Sequence, residues 1–391
     1  MSNITAELKD NKLVLSLSGH IDSANAAEVE TEAITQREKY PDKDLVINAE
    51  KLEYISSAGL RIILRLKKTC STLKIVNVST EIYEILEMTG FTEMIEVEKA
   101  YRQLSVEGCE VIGQGANGKV YRIDKDTIVK VYLNPDSLPD IKRETALARK
   151  AFVLGIPTAI PFDVVRVGEG YGSVFELLNA KSFAKLLVED PDKIDTYVSL
   201  YVDLLKKIHS TVVKPEDMPN MKQVAVNWAK FLLEYLPETE GKKLVELISA
   251  VPDRHTMIHG DYHVKNIMMQ NGEVLLIDMD TLSYGHPVFE LASMYLALEG
   301  YSLCDHSVTE KFLGISYDTG VSFWHKSLAL YFNNDSAKIE DAENKAKLIG
   351  YTRMMRRTIR RANDTPEGKA LIAESKKRLI ELIDTTKTLD F

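Results

Sequence analysis

The run His259-Gly-Asp261-Tyr-His-Val-Lys-Asn266, followed by Asn271-Gly272 and Val274-Leu-Leu-Ile-Asp278-Met-Asp280, constrains this chain more than any other feature of its sequence. Asn271-Gly272 marks a short turn between two β-like runs. The spacing has a chemical reason. Asp261 can orient a hydroxyl and take its proton, while Asn266 and Asp278 offer hard oxygen ligands to Mg2+ bridging nucleotide phosphates. A single aspartate in a turn or at a strand end is commonplace. An aspartate, an asparagine beyond four intervening residues and an aspartate closing an apolar strand form an ordered set, and that order is the phosphotransfer layout of the kinase fold.

The parts expected upstream of such a set are present in sequence order. Gly113-Gln-Gly115-Ala-Asn-Gly118-Lys-Val120 is a glycine-rich turn between two strand-like segments, where missing Cβ atoms let backbone N–H groups approach phosphate oxygens. In a dinucleotide-binding turn the last glycine opens a helix, whereas here it runs into β-like Lys119-Val-Tyr-Arg-Ile123. On the next strand, Thr127-Ile-Val-Lys130-Val-Tyr places one lysine among apolar neighbours, suited to the α- and β-phosphates of ATP. Such a lysine could instead snorkel to solvent. It needs a carboxylate to hold it, and Glu144 is the only glutamate in the helix expected at 141–153.

Composition limits the alternatives. A chain of 391 residues with 45% hydrophobic and 27% charged residues can fill two or three globular cores. Its net charge of −9, from 58 acidic and 49 basic residues spread widely, gives no global attraction to nucleic acid or anionic membrane. No apolar run approaches the roughly 18 residues that span a bilayer, and the start has no signal-peptide character, so the expected location is the cytoplasm. Cys70, Cys109 and Cys304 lack the paired spacing of metal or redox motifs and read as reduced and mostly packed.

Two domains follow from the patterning. Strand-like segments at 4–8, 13–17, 45–48 and 73–76 alternate with helical periodicity at 23–39, 57–68 and 81–88, the last followed by Gly90. This predicts a small α/β domain over 1–100, with helices packed on a sheet. Periodicity lapses over 101–108, a short linker, and a kinase domain is expected over 109–391. Its small β-rich lobe covers 109–178, with strands at 110–112, 120–123, 127–132, 161–167 and 172–177, and its large helical lobe covers 179–391.

The His259–Asn266 and Ile277–Asp280 segments resemble the aminoglycoside phosphotransferase and choline kinase family, a likeness extending from about Cys109 to beyond Glu299. The resemblance implies a bilobal protein-kinase-like fold using ATP and Mg2+, with Asp261 catalytic and Lys130, paired with Glu144, on the nucleotide. It also implies that Phe175-Glu176-Leu177-Leu178 is the interlobe hinge, offering backbone groups to adenine, and that Asp280 assists the metal. Two departures stand out. Where family members often carry Asp-Pro and Asp-Leu-Ala, this chain has His286-Pro287 and Glu290-Leu291-Ala292, positions that look structural rather than chemical. The metal aspartate also lacks the following glycine and the Ala-Pro-Glu segment of a protein-kinase activation loop, which favours a small-molecule acceptor.

The first hundred residues resemble the sulphate-transporter and anti-sigma-factor antagonist (STAS) family in Gly19-His-Ile-Asp22-Ser, in Asn48 to Leu60 around Ser56-Ser57-Ala58-Gly59, and in Met88-Thr-Gly90-Phe. Ser57 sits where a helix N-cap is expected. The resemblance makes Ser57 a phosphoacceptor and the domain a regulatory or partner-binding module, although Ser56 stands where such proteins often have aspartate. Phosphate there would meet exposed N–H groups and change the surface by nearly two charges.

Arg353, Arg356, Arg357, Arg360 and Arg361 share one helical face, either solvated or gripping an anionic substrate or partner. A nucleic-acid module with stacking aromatics beside them is not in evidence. The leading expectation is therefore transfer of the γ-phosphoryl of ATP to a hydroxyl of a small molecule. The alternatives are a kinase of a protein serine, Ser57 included, and a catalytically weak nucleotide-sensing adaptor.

Overall fold

A computed structural model describes residues 3–115, 118–134 and 136–391. The chain divides into two compact units, Met1–Leu104 and Ser105–Phe391.

In the first unit the strands are β1 (Ile4–Lys9), β2 (Lys12–Ile21), β3 (Asp44–Ile55), β4 (Lys74–Val78) and β5 (Glu96–Lys99), and they lie side by side in that order. Asp10 and Asn11 adopt positive φ, as a two-residue hairpin requires, so β1 and β2 pair antiparallel. The remaining pairs are parallel, and their crossovers carry α1 (Ala26–Lys39), α2 (Ser57–Thr69), α3 (Thr80–Met88) and the one-turn α4 (Phe91–Met94). Leu13, Leu15 and Leu17 alternate into a core shared with Leu45, Ile47 and Ile63. β3 runs well past the expected 45–48. Register shifts against β2 between Ser16 and Ser18 and between Gly19 and His20 break the alternation by which a strand is recognised. The short β5 was absent from the expected strands.

The cap of α2 corrects the sequence reading. Ser56, not Ser57, is the N-cap: its backbone is extended, and its Oγ accepts from the Gly59 N–H at 3.4 Å. Ser57 is the first helical residue and is exposed. Two adjacent serines look alike in sequence; the Ile21 carbonyl, which accepts the Ser56 N–H at 2.8 Å, decides which one turns the chain.

The second unit has a β-sheet lobe and a helical lobe. Strands β6 (Val111–Gln114), β7 (Gly118–Arg122), β8 (Thr127–Tyr132), β9 (Pro161–Val167) and β10 (Gly170–Glu176) form an antiparallel sheet in the order β6-β7-β8-β10-β9, and α5 (Leu138–Val153) joins β8 to β9. The short pairings use β11 (Lys181–Ser182), β12 (Met257–Ile258), β13 (Ile267–Gln270), β14 (Glu273–Leu276) and β15 (Ser283–Tyr284). The Asn271-Gly272 turn joins β13 to β14 with both φ positive, as its residues demand. The helices are α6 (Phe183–Glu189), α7 (Ile194–Ser210), α8 (Met221–Phe231), α9 (Glu238–Ser249), α10 (Val288–Leu298), α11 (Ser307–Leu313), α12 (Tyr317–Tyr331), α13 (Ser336–Ala362) and α14 (Pro366–Thr385).

At the centre of the helical lobe every residue of α10 is buried, as expected for a helix apolar on all sides. Tyr201, Trp324, Phe323 and Tyr351 pack in the same core. Among the described residues no helix is long and apolar enough to cross a membrane. The cysteines are free: Cys70 is buried, Cys109 partly so, and Cys304, expected to be packed, is exposed.

Candidate functional site

Lys130 is held by carboxylates from both lobes. It projects from β8, next to the fully buried Val129, and its Nζ donates to Glu144 Oε1 on α5 at 2.8 Å and to Asp278 Oδ1 beyond β14 at 3.1 Å. Burial pulls the amine towards neutrality, but Asp278 and Glu144 outweigh it and raise its pKa above the ordinary lysine value. Tyr132, two residues on and so on the same strand face, donates its hydroxyl to the other Glu144 oxygen. Sequence reasoning assigned Tyr132 nothing, although its period-two spacing from Lys130 could have found it.

Asp278 has φ 64° and ψ 72°, a left-handed conformation sparsely populated by residues with a Cβ. The turn that follows brings Asp280 towards the same carboxylates. Its pKa is pushed up to about 7, by burial first and then by the charges of Asp278 and Glu144.

Asp261 lies in a loop secured from four directions. Gly260, immediately before it, has φ +81°, and a Cβ there would come within 2.8 Å of the Thr281 carbonyl, so glycine is required. The buried Glu290 on α10 accepts the N–H groups of His259 and Gly260 at 2.5 and 2.9 Å. The Gly260 carbonyl accepts from Ser293 Oγ and from Arg353 on α13, each at 2.9 Å. The Asn266 side-chain amide donates to the Asp261 carbonyl at 3.0 Å, a bond that does not use its own oxygen. His259 reaches the Ile277 carbonyl at 3.2 Å and ties the loop to the strand ending in Asp278. Burial opposes the charge on Asp261, but His263, 3.4 Å from its carboxylate, and the Arg353 guanidinium prevail and hold its pKa at about 2.

The sequence-derived residues of this unit meet at one cavity of about 970 Å³, lined by Gly113, Gly115, Gly118, Lys130, Glu144 and Glu176 and by Leu178, Asp261, Asn266, Asp278 and Asp280. The glycines differ in what they require. A Cβ on Gly118 would lie 2.4 Å from the Val131 carbonyl, so this glycine lets β7 approach β8, whereas Gly115 faces open space. Ala116 and Asn117 of the same turn lie outside the described residues. At the expected hinge, the Glu176 and Leu177 N–H groups already bond the Ile160 and Asp126 carbonyls at 3.0 and 2.7 Å. Ser57 belongs to the first unit.

Sequence reading treated Glu290 as structural and missed what it braces. The structure also brings Arg353, Arg356, Arg357, Arg360 and Arg361 to the same cavity.

Glu290 yields a signed pH dependence. Burial raises its pKa to about 7, against the two backbone hydrogen bonds that favour the carboxylate. The folded protein therefore keeps this proton to about pH 7, while an unfolded chain loses it near the ordinary value of 4.5. Its contribution to stability is complete below that value and is lost as pH rises towards 7. Measured as Tm at stepped pH, Glu290→Gln should flatten the fall in stability over this window; an unaltered or steeper fall would contradict the assignment.

Comparison with known proteins agrees with both units. A STAS domain is matched over residues 3–104. BtrV of Bordetella bronchiseptica, named as an anti-sigma factor antagonist, is 32% identical over 98 residues, which are 24% of this chain and 84% of BtrV. The solved aminoglycoside phosphotransferase APH(2")-IIa, in a ternary complex with streptomycin and ATP, superposes with a TM-score of 0.51 at 17% identity, covering 78% of this chain and 99% of that one. A thermostable mutant of APH(4)-Ia, in complex with ADP and hygromycin B, gives 0.51 at 10% identity, covering 72% and 95%. These structures share the bilobal fold. The phosphotransferase enzyme family, APH, matches residues 108–309, and the chain belongs to that family: it is a phosphotransferase acting on hydroxyl groups, with a STAS domain ahead of its catalytic unit.

Proposed function

We propose that this phosphotransferase moves the γ-phosphoryl group of Mg·ATP to a hydroxyl of a small molecule. The observation that carries the reading is the convergence of Lys130, Asp261, Asn266, Asp278 and Asp280 on one cavity. ATP would lie against the Gly113–Gly118 turn, with its phosphates at Lys130 and its adenine at Glu176 and Leu178. Asp261, kept ionised by His263 and Arg353, would orient the acceptor hydroxyl and receive its proton. Solved relatives holding ATP or ADP beside streptomycin or hygromycin B support a nucleotide and a small hydroxylated acceptor.

The donor set fits Mg2+. Asp278 and Asp280 are hard oxygen ligands, and the Asn266 oxygen is left over from the bond its amide makes to Asp261. Burial, and after it the charges of Asp278 and Glu144, raise the Asp280 pKa to about 7, and a divalent cation would relieve the repulsion among these carboxylates. When bound, the ion would neutralise charge on the transferring phosphoryl group.

Ser57 supports a second reading, in which a protein serine is the acceptor. Its side chain is exposed in the first turn of α2, and the neighbouring Ser56 does the capping. A phosphate there would meet the positive end of the helix dipole.

ATP turnover across a panel of hydroxylated small molecules tests the main reading. Asp261→Asn should lower kcat by about 10²-fold or more, as loss of a general base does; unchanged turnover would overturn the assignment. For Ser57, intact mass after incubation with Mg·ATP should show one added phosphate that Ser57→Ala abolishes. No gain, or a gain indifferent to that substitution, would remove Ser57 as the acceptor.

A further inference from the structure

The helical-lobe wall of the cavity carries more positive charge than Arg353 alone, beside Asp261, accounts for. Arg353, Arg356, Arg357, Arg360 and Arg361 fall at i, i+3, i+4, i+7 and i+8 of α13, and all five line the cavity that holds Asp261. At 1.5 Å per residue the stripe is about 12 Å long. In a chain of net charge −9, other arginines have found carboxylates: Arg254 lies 3.2 Å from Asp390, and Arg378 lies 2.7 Å from Glu374. Among the described residues, none of the five makes an ion pair.

Packing holds three of them there. The guanidinium of Arg353 lies over Trp228 at 5.5 Å, that of Arg356 over Phe231 at 5.7 Å and that of Arg357 over Tyr301 at 5.1 Å. Arginine over an aromatic ring keeps N–H groups for planar carboxylate or phosphate oxygens. The clustering has a cost: burial and the nearby Arg360 lower the pKa of Arg356. A solvated face would spread such charges or pair them. The stripe starts beside the reacting group, because Arg353 bonds the carbonyl of Gly260, the residue before Asp261. The nucleotide's expected contacts, Lys130 and the glycine turn, belong to the sheet lobe.

We infer that α13 forms an acceptor subsite for anions, so that the hydroxyl presented to Asp261 belongs to a small molecule that also bears a phosphate or carboxylate group. The inference rests on the phosphotransfer reading and narrows its substrate class. A small molecule is favoured over a macromolecule because the arginines line a cavity together with Asp261. A polycationic aminoglycoside would be repelled by the guanidinium groups of Arg356, Arg357, Arg360 and Arg361, which make no ion pair among the described residues.

Calorimetric titration of the full chain, saturated with Mg2+ and a non-hydrolysable ATP analogue, tests this. The probes are glycerol 2-phosphate, glycerate, uncharged glycerol and the polycation streptomycin. Binding of glycerol 2-phosphate, of glycerate or of both is expected, with neither glycerol nor streptomycin binding, and the two anions distinguish phosphate from carboxylate recognition. The double variant Arg357→Gln/Arg360→Gln, whose altered side chains are exposed, should weaken anion binding about tenfold or more, and Arg357→Lys/Arg360→Lys should restore part of it. Binding of neither anion, equal binding of glycerol, binding of streptomycin, or anion binding indifferent to these arginines would overturn the inference. If the nucleotide analogue itself fails to bind, the phosphotransfer reading falls, and the same titrations on nucleotide-free protein still decide the anion site.

Discussion

The charge cluster of Lys130, Glu144 and Asp278 is the interaction on which the rest of the catalytic unit depends. Its members come from a strand and a helix of the sheet lobe and from a strand end of the helical lobe. A buried ion pair is a poor source of stability, because desolvation offsets much of the attraction. Here it supplies registration. Lys130 can satisfy both carboxylates only when β8, α5 and the end of β14 are correctly placed, and that placement forms the cavity walls. The left-handed backbone of Asp278 fits this account, since strain of that kind persists where surrounding contacts over-determine it.

The second constraint is the bracing of the Asp261 loop from behind. α10, buried along its whole length, presents Glu290 and Ser293 to the main chain of His259 and Gly260, and α13 adds Arg353. Without Glu290 two buried N–H groups would lack partners, at a cost of about 1–3 kcal/mol each. The arrangement also gives α13 two roles on one face. Its first arginine bonds the carbonyl of the residue before Asp261, and the following ones line the same cavity.

What could be read from the sequence was local. The His259–Asn266 run, the Asn-Gly turn and the strand ending in Asp278 carry their own spacing, and Glu144 was identifiable because no other glutamate competes in its helix. The missed features depend on distant partners. Glu290 meets the loop across 30 residues and Arg353 across 93, separations at which pattern carries no information. The bulged β3 lost its alternation to register shifts, and the adjacent serines at the start of α2 were separated only by the bond from Ser56 to Ile21.

If the ion cluster works as a unit, its members cannot contribute independently to nucleotide binding. A double-mutant cycle on Mg·ATP affinity, with Lys130→Ala, Glu144→Ala and the double variant, tests this most directly. The account predicts strong non-additivity, the double variant binding little worse than the weaker single one, with a coupling of about 1–3 kcal/mol. Losses that add to within about 0.5 kcal/mol would show that Glu144 does not act through Lys130, and would contradict it.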